Sequence, residues 1–228
     1  MSLILSIETS TRVCSVALHR EGILLGFSDI HLEKTHSSLL NKSIRELLEN
    51  CGVTLKDLIA IAVSKGPGSY TGLRIGVSSA KGFCHALDIP LIGISTLQAL
   101  ALRASRIHST PGFLFVPMID ARRMEVFYAI FDSQNKSIRP PVAEIIQEEI
   151  FKDYTSEYTL ILMGDGVNKC IPLFKGNEKI KIVFDILPSA ETLGILAYKK
   201  YVDNKFEDVA YFEPFYLKDF LFKKPVPE

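Results

Sequence analysis

The 228-residue sequence has no net charge: 26 basic side chains balance 26 acidic ones. That absence excludes a broad cationic surface as the main route to nucleic acid, because phosphate binding is driven by Lys and Arg. It leaves room for a local basic patch or for a basic partner. Cysteine is scarce too. The four, at positions 14, 51, 84 and 170, form no CxxC pair, so they do not read as a secreted disulfide framework. Each reads as a small buried hydrophobe in a reducing compartment. Histidines at 19, 31, 36, 85 and 108 make neither HxxxH nor HExxH, which removes zinc by motif. No apolar run approaches the ~18 residues a membrane span requires. Met1–Ser10 has no basic stretch and meets Glu8 early, unlike a signal peptide. The expectation is a cytoplasmic protein that does not cross a membrane.

What is present is enough for a core. Hydrophobic residues make up 47% of the chain. A chain of this size can bury roughly 70% of its unfolded surface without a disulfide or metal staple. Leu3–Ile7, Val13–His19 and Ile23–Ile30 read as three strands joined by short turns. Leu39, Leu40, Ile44, Leu47, Leu48 and Cys51 recur at helical spacing, with Gly52 as a stop. Leu58–Val63 is a strand buried on both faces. A glycine-rich loop, a helix near 71–87, a strand at Pro90–Ile94 and a helix at Thr96–Ile107 follow. Ser109-Thr110-Pro111-Gly112 is the best boundary.

The second half repeats the order. Strands are expected at Phe113–Ile119, Glu125–Phe131, near Val142–Ile145, at Tyr158–Met163 and at Lys181–Phe184. Helices are expected at Ile146–Phe151, Asn168–Phe174 and Ala190–Val202. Two units of mixed sheet with helices therefore span 1–108 and 109–228, with the last helix packing back toward the first unit.

The most distinctive segment runs Ser64-Lys65-Gly66-Pro67-Gly68-Ser69-Tyr70-Thr71-Gly72-Leu73-Arg74. Ser69 or Thr71 can cap the following helix. The helix N-terminus can hold a phosphate, but no Gly-Lys-Ser/Thr makes it a Walker loop, and a plain strand-to-helix turn explains it as well. On the helix, Leu73, Val77, Ala80, Cys84 and Leu87 form a core stripe. Gly72, Gly76, Ser79 and Phe83 form a second stripe that lets another helix approach, either from the same unit or from a partner. Glu8-Thr9-Ser10-Thr11 and Asp120-Ala121-Arg122-Arg123 place an acid at the matching first turn of each half. Two such turns facing one another would make a ligand site; alone, each is an ordinary turn.

Two stretches carry a resemblance. GPGSYTGLR within Ser64–Arg74, continued by Ile75-Gly76-Val77 and Pro90–Leu97, resembles the signature of the TsaB, or YeaZ-like, family of bacterial tRNA threonylcarbamoyladenosine biosynthesis proteins. Met118–Arg122 with Glu125-Val126-Phe127 resembles that family's second block, and Glu213–Lys218 its closing P-x-Y-L-R. Glu8 stands where Asp is common and Lys218 where Arg is usual. The resemblance implies two RNase H-like lobes of the actin/Hsp70/sugar-kinase type, each a mixed five-stranded sheet with helices. It implies a non-catalytic scaffold in the threonylcarbamoyl modification of the adenosine next to the anticodon of ANN-decoding tRNAs. The scaffold would bind and activate the catalytic paralogue TsaD, together with the ATPase TsaE, without a cofactor or metal of its own and touching tRNA only indirectly. The paralogue's metal-binding paired histidines lie on the helix after the fifth strand; Ser95–Ala101 has none here. The expected partner surface comprises Thr35–Asn50 and Thr71–Leu87, with Asn41, Arg45, Gly72, Gly76, Ser79 and Phe83 at the contact. The same helices can support a homodimer. Gly66, Pro67, Gly68, Ser69, Thr71 and Arg74 are the signature-loop residues. The alternative is an enzyme acting alone, an actin-type ATPase or kinase, or a glycoprotease-like metallopeptidase.

Overall fold

The computed structural model describes residues 2–32 and 36–218. Thr35 and the sequence past Lys218 lie outside these residues. The first five strands are β1 (Leu3–Glu8), β2 (Cys14–Arg20), β3 (Ile23–Ile30), β4 (Leu58–Gly66) and β5 (Leu91–Ser95). Between and after them come helices α1 (His36–Asn50), α2 (Tyr70–Leu87) and α3 (Thr96–Ile107). The strands order β3-β2-β1-β4-β5, with β2 antiparallel and β4 parallel to β1.

The second half repeats this with β6 (Phe113–Asp120), β7 (Glu125–Phe131), β8 (Ser137–Ile145), β9 (Thr159–Met163) and β10 (Ile180–Ile182). Its sheet order, β10-β9-β6-β7-β8, is the first order read from the other edge. Its helices are α4 (Lys152–Thr155), α5 (Ile171–Phe174) and α6 (Ala190–Val202). These are two α/β lobes of the actin/Hsp70/sugar-kinase type.

The helix at Ala190–Val202 has the expected bounds, but the first two helical segments of the second lobe are shorter than expected. The segment expected to be helical at 146–151 is a 3-10 turn at Glu148–Phe151 running into the single turn of α4. The segment 168–174 is likewise a 3-10 turn followed by α5. Pro172 in the first turn of α5 is tolerated there and contributes no backbone donor. β8 begins five residues before the expected Val142, passing through Pro140 and Pro141. It lies at a sheet edge, where proline is accepted.

β1 is buried along its whole length. Alternation sends Leu3, Leu5 and Ile7 into the core under α1 and α2, and Ile4 into a second core with Leu193 and Ala197 of α6. α6 thus lies on the first sheet, against β1, β2 and β5, while α3 lies on β6 and β7 of the second. α3 and α6 also pack on one another, so helices cross between the lobes in both directions. All four cysteines are free, and Cys14, Cys84 and Cys170 are buried. Among the described residues no helix is long and apolar enough to cross a membrane.

Candidate functional site

The signature loop joins the end of β4 to α2. The Gly66–Pro67 peptide is cis, and Gly66 has φ 112°, a conformation open to glycine. Ser69 is the N-cap of α2 and accepts from the Gly72 amide at 3.3 Å. On one side the loop packs on the β1–β2 turn. The Ser69 amide donates to the Ser10 carbonyl at 2.6 Å. The Thr9 hydroxyl donates to the Gly72 carbonyl at 2.8 Å. A Cβ on Gly68 would collide with Ser10, and a Cβ on Gly72 or Gly76 with Thr9.

The β1–β2 turn therefore lies directly on the glycine face of α2. Gly72 and Gly76 are buried within their own lobe, which corrects their assignment to an outward, partner-facing stripe. Ser79 and Phe83 are half-buried, and Phe83 packs on the lobe's core. The residues that α2 exposes are Thr71, Arg74, Ser78, Gly82, His85 and Ala86. A Cβ at Gly82 would meet nothing within 4 Å. Ser78 and Gly82 continue Arg74 at four-residue steps, a spacing present in the sequence beside the stripe Gly72, Gly76, Ser79 and Phe83. On α1, Asn41 and Arg45 are exposed, one turn apart.

The other side of the loop holds the chain's own C-terminal segment. The Phe215 amide donates to the Lys65 carbonyl at 2.6 Å, and a Cβ on Gly66 would stand 2.7 Å from the Phe215 carbonyl oxygen. Arg74 Nε donates to the Tyr216 hydroxyl at 3.2 Å, while its guanidinium lies 4.1 Å from the Tyr70 ring centroid. The Tyr70 and Tyr216 rings are 4.8 Å apart. Lys81 Nζ donates to the carbonyls of Ala210 and Phe212. Lys218, the tail position that departs from the family pattern, pairs with Glu125 of the second lobe.

Each of the two first turns uses its acid on the backbone two residues on. Glu8 is fully buried, and its carboxylate accepts from the Ser10 amide at 2.6 Å. Burial pushes its pKa up, and Asp29 adds to the rise. In the second lobe, Asp120 accepts from the Arg122 amide at 2.6 Å and from Lys169 Nζ at 2.6 Å. The Asp120 amide donates to Asp165, whose pKa is raised by burial and by Asp120 and drawn back by Arg12 from the first lobe. The hairpin tip beyond Asp120 places Arg122 at φ 70° and Arg123 at φ 50°. Left-handed backbone costs an ordinary L-residue roughly 1–2 kcal/mol.

Among the described residues no group of three or more His, Cys, Asp or Glu side chains is arranged to hold a metal ion. A shallow groove of about 420 Å³ runs between Lys65 and the segment from Glu207 to Phe215, away from both turns.

Comparison with known proteins agrees with this architecture. Residues 30–220 match the family described as TsaD, tRNA N6-adenosine threonylcarbamoyltransferase. The chain is 30% identical to the tRNA threonylcarbamoyladenosine biosynthesis protein TsaB of Escherichia coli (strain K12), covering 98% of each chain. It superposes with a TM-score of 0.85, at 28% identity, on a Pseudomonas aeruginosa protein described as similar to the peptidase YeaZ, covering 96% of this chain and 100% of that one. Component A of (R)-2-hydroxyglutaryl-CoA dehydratase from Acidaminococcus fermentans shares the fold alone, with a TM-score of 0.51 at 11% identity over 88% and 98% of the two chains. With the match spanning both lobes and the signature loop, the chain belongs to the TsaD-type threonylcarbamoyltransferase family and, within it, to the TsaB (YeaZ-like) proteins of tRNA threonylcarbamoyladenosine biosynthesis.

Proposed function

We propose that this chain is a non-catalytic scaffold subunit in the threonylcarbamoyl modification of the adenosine next to the anticodon of ANN-decoding tRNAs. It binds and activates a TsaD-type catalytic partner in the cytoplasm, with a TsaE-type ATPase completing the complex. The observation that carries this reading is the closure of the β1–β2 turn. The Thr9 hydroxyl is bonded to the Gly72 carbonyl and the Ser10 carbonyl to the Ser69 amide, with Glu8 buried behind them, which argues against a phosphate or a hydrated metal in this turn. These residues do not fit the nucleotide that the fold implies. The helix on which the catalytic paralogue would carry paired histidines is α3, and here Leu97 and Leu100 on it are wholly buried under the second sheet. The catalytic activity named for the matched family is assigned to the partner.

The partner surface is the exposed side of α1 and α2: Asn41 and Arg45 with Ser78, Gly82 and the edges of Ser79 and Phe83. Ser78 and Gly82 replace Gly72 and Gly76 in that role. Small residues on a helix let a second helix approach closely, and a large charge there blocks it. The decisive experiment is co-purification with the TsaD-type partner, followed by assay of modified tRNA with and without this chain. Modification is expected only with both present, and Gly82→Arg should abolish partner binding while the thermal melt is unchanged. Threonylcarbamoyl transfer or ATP hydrolysis by the isolated chain would overturn the scaffold reading. A homodimer through the same helices would be lost with the same variant.

A further inference from the structure

The hairpin between β6 and β7 ends in Arg122, Arg123 and Met124, all three exposed. Both arginines have left-handed backbone, at φ 70° and φ 50°. Hairpin tips that need such dihedrals favour Asn and Gly, which reach them at little steric expense. Arginine brings no such advantage to the turn itself, so its presence twice in succession is not explained by turn chemistry.

The charges at the root of the hairpin are internally matched. Asp120 holds Lys169, Glu125 holds Lys218, and Asp165 lies in the field of Arg12. Neither Arg122 nor Arg123 offers its guanidinium to any described residue in a hydrogen bond or an ion pair. Two cations are thus left over at the tip, in a chain whose total charge is zero. A guanidinium presents a planar fork of donors that matches phosphate oxygens bidentately.

We infer that Arg122 and Arg123 form a phosphate-backbone contact for the tRNA bound by the assembled complex. The inference rests on the scaffold reading above and changes it in one respect: the chain touches the RNA directly, at one tip. Backbone contacts of this kind position the RNA and carry no sequence information. The contact is local, as the neutral composition demands.

The test uses this chain in complex with its TsaD-type partner and a tRNA transcript that decodes an ANN codon. Binding is followed by fluorescence anisotropy across a salt series. Arg122→Asn combined with Arg123→Gly gives the turn its favoured residues and removes both cations. The variant complex should bind tRNA about tenfold more weakly near physiological salt, with the slope of log K against log salt reduced by about 1 to 2. The variant chain should melt no lower than the wild type and bind the partner equally well. Unchanged tRNA affinity and slope overturn the inference. Loss of partner binding in place of tRNA binding also overturns it, since the tip would then serve an acidic protein surface. A wild-type complex that forms but ignores tRNA overturns it as well, and a wild-type chain that never forms the complex fails at the scaffold reading instead.

Discussion

The hydroxyl of Thr9 donates to the carbonyl of Gly72 at 2.8 Å, across 63 positions of sequence. It fastens the turn after the first strand to the first turn of α2. The same contact uses up the helix face that small residues leave open and the loop that a ligand would need. One hydrogen bond thus bears on stability, on the closure of the turn against the signature loop and on which side of α2 is exposed.

Glycine positions on α2 divide accordingly. Gly72→Ala sets a methyl group against the Thr9 backbone, which has no flexible end to move aside. Overpacking of this kind costs about 1–3 kcal/mol, which outweighs the gain of up to about 1 kcal/mol that alanine brings to a helix. Gly82→Ala meets nothing and should keep the whole propensity gain. Urea denaturation should show midpoints that move in opposite directions for the two variants. Equal midpoints would refute the inward placement of Gly72.

Much of this was legible in the sequence, and the limit is physical. The meander β1–β3 announced itself by alternation and short turns, and α2 by its apolar period and Ser69. The stripe Gly72, Gly76, Ser79 and Phe83 was visible as well, but small residues look the same whether a partner helix or the chain's own turn fills the space. What fills it is Thr9 and Ser10, some sixty positions away, which no local period encodes. The pairing of Arg74 with Tyr216 spans 142 positions and was equally out of reach. In the second lobe, one-turn helices such as α5 are too short to carry a period at all.

Glu8 should make the chain less stable as pH rises. Burial is the main cause of its raised pKa, so the folded state holds its proton more tightly than the unfolded chain, where it titrates near 4.5. Stability is then highest below that value and falls as pH rises toward the folded-state pKa, because ionisation must occur inside the lobe. Glu8→Gln keeps the shape and removes the charge. The variant should be more stable than the wild type at pH 8 and lose that advantage near pH 4. A variant less stable at both pH values would show that the ionised carboxylate is a net stabiliser.

Arg74 joins the signature loop to the tail. Its side chain donates to Tyr216 and covers Tyr70, and the chain crosses back at Lys65 and Phe215. The contact is exposed, so Arg74→Ala should leave global unfolding little changed. It should release the segment from Pro214 to Lys218 specifically. Hydrogen exchange at the amides of 215–217 should quicken in the variant, while the amides of β1 and β4 keep their protection. Uniform quickening would mean that Arg74 supports the whole lobe.

His19 has the opposite sign to Glu8. It is buried on β2, with Gly194 of α6 against its ring. Burial lowers its pKa from 6.5 to about 4. The folded state therefore resists a proton that the unfolded chain accepts. The stability it preserves is complete above pH 6.5 and is lost as pH falls toward 4, a loss on the order of 3 kcal/mol. The charge would appear between β2 and α6, so α6 should detach from the first sheet before the sheet itself unfolds. Melts of the wild type between pH 7 and pH 4 should fall steeply, and His19→Gln should flatten that part of the curve even if it melts lower at pH 7. If both proteins fall with the same slope, the carboxylates govern acid unfolding and His19 is a bystander.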